Sequence, residues 1–342
     1  VVDLSIGTPC DAPPAAVLEA LGRAGDPHRY PMTGGSLVLR EAAARWMRRR
    51  FDVTVPPAAI AACVGTKELV ASVPHILKLR DPSRDTVLYP AVSYPTYEMG
   101  AILAGLRAIP VAVDAEWRLD VGSIASSDAE RALCLWVNSP GNPAGGLDDL
   151  AAIATWGRAR GVPVFSDECY IEFTWDGPGR TILEHGHDGV IAVHSLSKRS
   201  NFAGIRIGFY AGDQALVTYM NEVRKHAGLM PSGPGQAAAA VALDDDAHVA
   251  DQRERYRHRL ERMRTILAAV GIDAPLPGGG FYLWAEAPDG DAWGLTERLA
   301  RDGGALVSPG EFYGEAGRRY IRVAMVQPDD RIELVATRLG VA

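Results

Sequence analysis

Lysine is scarce in this chain of 342 residues: Lys67, Lys78, Lys198 and Lys225 stand against 31 arginines. Cysteine is sparse too. Cys10, Cys63, Cys134 and Cys169 lie far apart with no C-x-x-C, and no signal peptide is apparent, so they read as reduced thiols in a cytoplasmic protein. No apolar run reaches the roughly 18 residues a membrane span needs. A basic stripe is also lacking; the net charge is −7, which removes nucleic acid from the favoured partners. The densest positive run, Arg45-Trp46-Met47-Arg48-Arg49-Arg50, reads as a solvated helix face rather than a polyanion site. The initiator methionine is absent, since the chain opens on Val1-Val2-Asp3, and a preceding N-terminal segment is expected.

What is present is an ordinary globular composition, 47% hydrophobic and 23% charged, with ample core for one large domain or two that share the chain. Apolar runs at residues 60–64, 86–89, 108–113, 132–137, 162–165, 190–194 and 205–211 alternate with helical patterns. That order predicts a mostly parallel α/β sheet, in which ligands sit beyond the carboxyl ends of the strands. After residue 212 the pattern changes. Helices are expected at 213–226, 236–243 and 244–270, and strands at 281–285, 305–308 and 320–325 alternate with helices at 293–301 and 329–339. This predicts a smaller α+β domain. The expected division is a large domain over 13–230 and a small one made of 1–12 plus 231–342.

The scarcity of lysine gives weight to Lys198, in Ser195-Leu196-Ser197-Lys198 at the end of an apolar strand. Desolvation there can lower an amine's pKa and make it a Schiff-base nucleophile. The stretch alone fits an exposed loop tip equally well. The polar residues Thr66, Tyr94, Asn142, Asp167 and Tyr170 also fall just after expected strands, however, and that convergence favours a site. Gly65-Thr66-Lys67 turns a strand into a helix N-terminus, an anion-binding geometry. His185 and His187 have metal-ligand spacing but lie in a polar loop, so no metal is expected. Gly278-Gly279-Gly280 precedes a strand and lacks the context of a dinucleotide fingerprint.

Asn142-Pro143-Ala144-Gly145, Ser166-Asp167-Glu168-Cys169-Tyr170, Lys198 and Arg206, in that order and spacing, resemble the class I/II aminotransferases. These are pyridoxal-phosphate enzymes of fold type I, and the resemblance runs from Gly7 to Arg322. It implies that Lys198 links to the cofactor aldehyde and carries the proton once substrate displaces it. It places Asp167 against the pyridine nitrogen, Tyr170 and Asn142 on the ring's 3′ oxygen, and Tyr94 on the ring face. The phosphate falls to Gly65, Thr66, Lys67, Ser195, Ser197 and Arg206, with Tyr30 reaching the neighbouring subunit's phosphate in a homodimer with shared sites. Arg322 would clamp the substrate α-carboxylate, with Gly7 beside it.

Further stretches are similar to actinobacterial N-succinyl-LL-diaminopimelate transaminases: Tyr30-Pro31-Met32-Thr33, Gly65-Thr66-Lys67-Glu68, Ser93-Tyr94-Pro95-Thr96-Tyr97-Glu98 and Arg224-Lys225-His226-Ala227-Gly228. They imply transfer between glutamate and N-succinyl-2-amino-6-oxopimelate in lysine and diaminopimelate synthesis. The chain departs from that pattern at Ala144, where threonine is usual, and at residues 79–85. Two alternatives stand beside this expectation: another amino-acid transaminase, with an aspartate, aromatic or secondary-metabolite substrate, and a pyridoxal-phosphate-binding regulatory or lyase-like domain.

Overall fold

The computed structural model describes residues 1–23 and 29–341. The sequence pattern from Pro13 to Ala24, with proline in the first turn, predicts a helix, and its end falls in residues 24–28, which lie outside the described residues. After β1 (Val2–Asp3), the chain lays down β2 (Ile60–Cys63), β3 (Thr86–Pro90), β4 (Arg107–Val111), β5 (Ala132–Asn138), β6 (Val164–Asp167), β7 (Val190–Ser195) and β8 (Gly208–Gly212). Strands β2 to β8 form one sheet in the order β2-β8-β7-β6-β5-β3-β4. The pairs among β3 to β7 are parallel, whereas β8 runs antiparallel to both β2 and β7. Every residue of β5, β6 and β7 is buried, which explains their unbroken apolar runs. Register brings Asn138 level with Asp167, and Asp167 level with Val193. Three neighbouring strands therefore end on one edge, at Asn138, Asp167 and Ser195.

The strand expected over 205–211 starts later, at Gly208. Residues Ala203–Ile205 form a short turn and Arg206 takes φ +58°, a left-handed conformation that breaks the extended run. The expected strand over 305–308 is two strands, β10 (Ala305–Leu306) and β11 (Ser308–Pro309). With β9 (Tyr282–Glu286) and β12 (Tyr320–Ala324) they complete a second layer. In it β11, β12 and β9 are antiparallel, while β1 of the N-terminal arm pairs in parallel with β10. Val2 and Leu4 are buried in one core with Tyr256, Leu260, Phe281 and Ile321.

Helix Gly233–Asp244 places Ala238, Ala239, Ala242 and Leu243 in the core of the large sheet, whereas Ala247–Ala269 packs into the smaller one. The turn between them is the handover point. Helix Leu37–Phe51 lies against this turn. Its N-cap hydroxyl, on Ser36, accepts the Leu39 N–H at 3.2 Å, a contact worth about 1 kcal/mol. Its arginine run is not simply solvated. Trp46 and Met47 are buried, Arg45 pairs with Asp244, Arg49 with Asp246 and Arg50 with Glu172. These carboxylates come from distant sequence, so the helix pattern alone reads as solvent-facing. Among the described residues no helix is long and apolar enough to cross a membrane.

Candidate active site

Lys198 sits in the one-turn helix Leu196–Arg199 that follows β7. Ser195 caps that turn, its hydroxyl oxygen accepting the Ser197 N–H at 3.1 Å. The cap leaves the Ser195 O–H free to donate. The Lys198 ammonium donates to the Gly7 carbonyl and lies 5.7 Å from the centre of the Phe281 ring. Burial pushes this amine down to about 8; Arg322 and Arg206 push the same way, and Cys169 and Asp167 oppose them. A lysine whose pKa is brought this close to neutrality is a competent nucleophile.

Asp167 closes β6 in a buried position. Its Oδ2 accepts the Tyr97 hydroxyl at 2.8 Å and its Oδ1 accepts the Cys169 N–H at 3.2 Å. Burial pushes this carboxyl up, against those two donors and against Lys198. A buried carboxylate held by neutral donors suits a ligand that brings an N–H⁺. Tyr97 is a site residue that sequence reasoning missed. It lies three positions after Tyr94, but its reach across 70 residues to Asp167 leaves no local signal. Tyr94 is partly buried and packs edge-on against Tyr97, with ring centres 6.1 Å apart.

Helix Thr66–Arg80 begins at Gly65, whose φ is +73°. A Cβ there would lie 2.2 Å from Arg206 Nη2, so glycine is what lets the guanidinium reach the helix N-terminus. Thr66 Oγ1 is 3.3 Å from Cys169 Sγ, which ties this turn to the Asp167 loop. Free backbone N–H groups, the helix dipole and Arg206 together make an anion cradle. Lys67 is exposed, 5.8 Å from the Tyr94 ring centre. Ser197 is buried, giving its N–H to Ser195. Tyr30 is 91% exposed and lines a separate groove with Met32, Asn221 and Lys225.

Arg322, on β12, faces this group from the smaller layer. Its Nη1 donates to Asn142 Oδ1 at 2.8 Å, its Nη2 to the Ser5 carbonyl, and its buried Nε has no partner. The guanidinium lies 4.3 Å from the Tyr282 ring centre and 4.6 Å from that of Tyr313. Both hydrogen-bond acceptors are neutral, so the site holds a buried cation ready for a carboxylate. Gly7 lies alongside: a Cβ there would come within 2.0 Å of Tyr282 Oη, which itself sits 2.8 Å from Tyr170 Oη. Tyr282 is a second residue the sequence reading missed, since its partner Tyr170 is 112 positions away. Asn142 is fixed by its N–H to Asn138 Oδ1, and Asn138 in turn donates to the Asp167 carbonyl, both at 2.8 Å.

Glu168 points away from this cluster, with its Oε2 3.5 Å from His194 Nε2. Burial pushes the Glu168 carboxyl up to about 8 and the His194 imidazole down to about 3, so the pair is neutral near pH 7. Among the described residues no group of histidines, cysteines and carboxylates could hold a metal ion, His185 and His187 included.

A low-pKa amine, a partner-seeking carboxylate, an anion cradle and a buried cation thus meet at the strand ends. Together they suit a phosphorylated heteroaromatic aldehyde and an α-amino acid. The model of the aminotransferase class I and II family matches residues 1–339. The chain is 45% identical over 347 residues to a 4-dedimethylamino-4-oxo-anhydrotetracycline transaminase of Streptomyces rimosus, covering 99% of this chain and 93% of that one. It is 32% identical over 353 residues to an LL-diaminopimelate aminotransferase of Aquifex aeolicus, covering 99% and 90%. A solved structure of a probable N-succinyldiaminopimelate aminotransferase from Thermus thermophilus matches with TM-score 0.90 at 27% identity, covering 99% and 94%.

Proposed function

Because the chain belongs to the class I and II aminotransferases, we propose that it moves an amino group between glutamate and a keto acid, most favourably N-succinyl-2-amino-6-oxopimelate. The fold is that of the fold type I enzymes, and the cofactor is pyridoxal 5′-phosphate. Bound, that cofactor supplies an electron sink for the pair released at the substrate Cα. Every other task falls to the chain. In this reading Lys198 Nζ is the cofactor-linked amine and then the base that takes the Cα proton and returns it. Asp167 holds a proton on the ring nitrogen, with Tyr97 orienting the carboxylate. Tyr170 and Asn142 bind the 3′ oxygen, and Tyr94 covers the ring.

The phosphate goes to the N-terminus at Gly65, Thr66 and Lys67, to the Ser195 and Ser197 hydroxyls and to Arg206. Arg322 takes the α-carboxylate, with Gly7 and Asn142 beside it. The exposed Tyr30 supports the further proposal of a homodimer in which each subunit completes its partner's phosphate site. The division into 13–230 and 1–12 plus 231–342 stays a proposal. The packing of helix Gly233–Asp244 on the large core favours moving its second boundary to the turn before Ala247. A cytoplasmic setting belongs to the same reading, supported by four free thiols.

The observation that carries the amino-acid reading is Arg322, a buried guanidinium whose hydrogen-bond acceptors are neutral. The diaminopimelate reading is supported by the relative from Aquifex aeolicus and the neighbour from Thermus thermophilus. A second reading, an aromatic or polycyclic keto acceptor, draws on the Streptomyces rimosus relative. It also draws on the rings next to Arg322, where Tyr313 meets Trp284 with centres 6.0 Å apart and Trp284 stacks on Tyr320 at 5.2 Å. A ping-pong assay from glutamate across keto acceptors decides between them. No turnover of the succinylated keto acid, beside good rates with aromatic acceptors, would overturn the first reading in favour of the second.

A further inference from the structure

Lys198 stands on a helix of four residues, Leu196–Arg199. So short a helix does not hold its own shape, because the first turn fixes several dihedrals for one hydrogen bond. Something outside it must fix the lysine backbone. The next residue, Arg199, is 3% exposed and uses all three of its side-chain nitrogens. Its Nε donates to Glu172 Oε1 at 3.2 Å. Its Nη1 donates to the Ala242 carbonyl and to Ser200 Oγ, and its Nη2 to the Asp245 carbonyl and Asp246 Oδ1, both at 3.2 Å.

Glu172 is equally committed. It is 4% exposed and lies five residues after Asp167 and two after Tyr170. Its Oε1 also accepts the Trp46 indole N–H at 2.8 Å, and its Oε2 accepts Arg50 Nη2 at 2.8 Å and Nε at 3.1 Å. Arg253 Nη1 donates to its backbone carbonyl at 2.6 Å. The bond between Glu172 and Arg199 thus joins the segment bearing Asp167 and Tyr170 to the segment bearing Lys198. Arg199 anchors its segment to the handover turn after Leu243, and Glu172 is anchored to helix Leu37–Phe51, which lies against that turn.

We propose that Glu172 and Arg199 are positioning residues for the reaction, holding Lys198 Nζ at its working distance from the Asp167–Tyr170 segment. Neither touches the reacting atoms; they act through the backbone of Lys198 and Tyr170. Buried, multiply bonded ion pairs contribute little net stability compared with apolar packing, but they impose geometry. Displacing a catalytic group by about 1 Å costs on the order of a hundredfold in rate. The arginines at 45, 49 and 50 then have a role as the outer brace of the same node.

The inference rests on Lys198 being the cofactor-linked amine, and the test separates the two claims. The full chain, loaded with pyridoxal 5′-phosphate, is titrated with pH while the visible cofactor absorption is followed. The glutamate half-reaction gives kcat and KM, and thermal unfolding reports the fold. Glu172→Gln keeps the shape but removes the charge, and Arg50→Gln removes one outer leg from an exposed position. Arg199→Lys keeps the charge but loses the fork.

In folded Glu172→Gln the spectroscopic midpoint is expected to move by about half a pH unit or more. Its kcat is expected to fall about ten- to a hundredfold with KM changed less than about threefold. Arg50→Gln should lower kcat by less and move the midpoint by a smaller amount. Should Arg199→Lys or Glu172→Gln not fold, Arg50→Gln with an unmoved midpoint and kcat overturns the proposal. Folded variants with lower melting temperatures but unchanged midpoint and kcat overturn it too. If Lys198→Ala keeps the wild-type visible absorption, the assignment of Lys198 fails; if it loses that absorption while the other variants stay wild-type, only the positioning role fails.

Discussion

The Tyr97 hydroxyl donates to Asp167 Oδ2 at 2.8 Å, and both groups are buried. Cys169 adds its backbone N–H and its thiol on the same carboxylate. Burial raises the Asp167 carboxyl while Cys169, Tyr97 and the Lys198 charge lower it. Tyr97→Phe removes one of them with little change in volume. Hydrogen bonds to charged groups are worth about 1.5–3 kcal/mol. The carboxyl should therefore titrate higher, the acid limb of the kcat profile should move to higher pH, and kcat at neutral pH should drop at least about tenfold. A pH–rate profile from Tyr97→Phe that overlays wild type would remove Tyr97 from the site.

Lys198 makes a prediction that needs no cofactor. Its folded pKa of about 8 lies below the ordinary lysine value of 10.5 because of burial. Between those values the unfolded chain binds the proton and the folded one does not, so stability rises with pH across that window. Below pH 8 both states hold the proton and the burial penalty is at its fullest. Lys198→Met should therefore stabilise the cofactor-free protein most below pH 8, by on the order of 2–3 kcal/mol, with the gain shrinking towards pH 10.5. Denaturant melts of both proteins at several pH values test this. A gain independent of pH would contradict the burial of a charged amine. In the loaded protein, borohydride reduction should leave the cofactor on Lys198; mapping to Lys67, Lys78 or Lys225 would refute the assignment.

Much of this site was legible because its residues come at the ends of consecutive strands. A run such as residues 132–137 announces a strand, and the polar residue that closes it falls on the ligand edge. That logic points to Asn142, Asp167 and Lys198 as members of the candidate site. It could not locate Tyr97, Tyr282, Glu172 or Arg199, whose partners are 70, 112, 126 and 27 residues away in the contacts described above. Nor could it give the direction of β8, because an apolar run reads the same in either sense. The pairing of the arginines at 45, 49 and 50 leaves no sequence signal for the same reason: helical periodicity says which face they occupy, while Asp244, Asp246 and Glu172 are delivered by tertiary folding.

Arg322→Met keeps length and apolar bulk while deleting the buried cation. Asn142 Oδ1 and the Ser5 carbonyl lose a donor, and Tyr282 and Tyr313 lose the charge between their rings. In the proposed reading the phosphate and ring-nitrogen contacts lie on other elements, and Asn142 is the one cofactor residue that Arg322 touches. KM for glutamate should therefore rise about a hundredfold while cofactor affinity changes little, consistent with loss of a buried charge-assisted pair. Equal losses in both would mean that Arg322 serves the fold rather than the substrate.

Gly65 tests the anion cradle. An alanine there meets two obstacles: φ is +73°, and the added Cβ would fall 2.2 Å from Arg206 Nη2. The arginine is the softer partner and should swing away, taking its fork out of reach of the helix N-terminus. With ψ at 148° this is backbone that essentially only glycine adopts, at a cost of about 1–3 kcal/mol to another residue, which a domain of this size tolerates. Gly65→Ala should therefore fold but release pyridoxal 5′-phosphate at least about tenfold more readily, because a bidentate charge-assisted contact is lost. Pyridoxal without its phosphate should bind wild type and variant nearly alike. Equal weakening of both ligands would place the damage in the ring pocket and refute Arg206 as the phosphate grip.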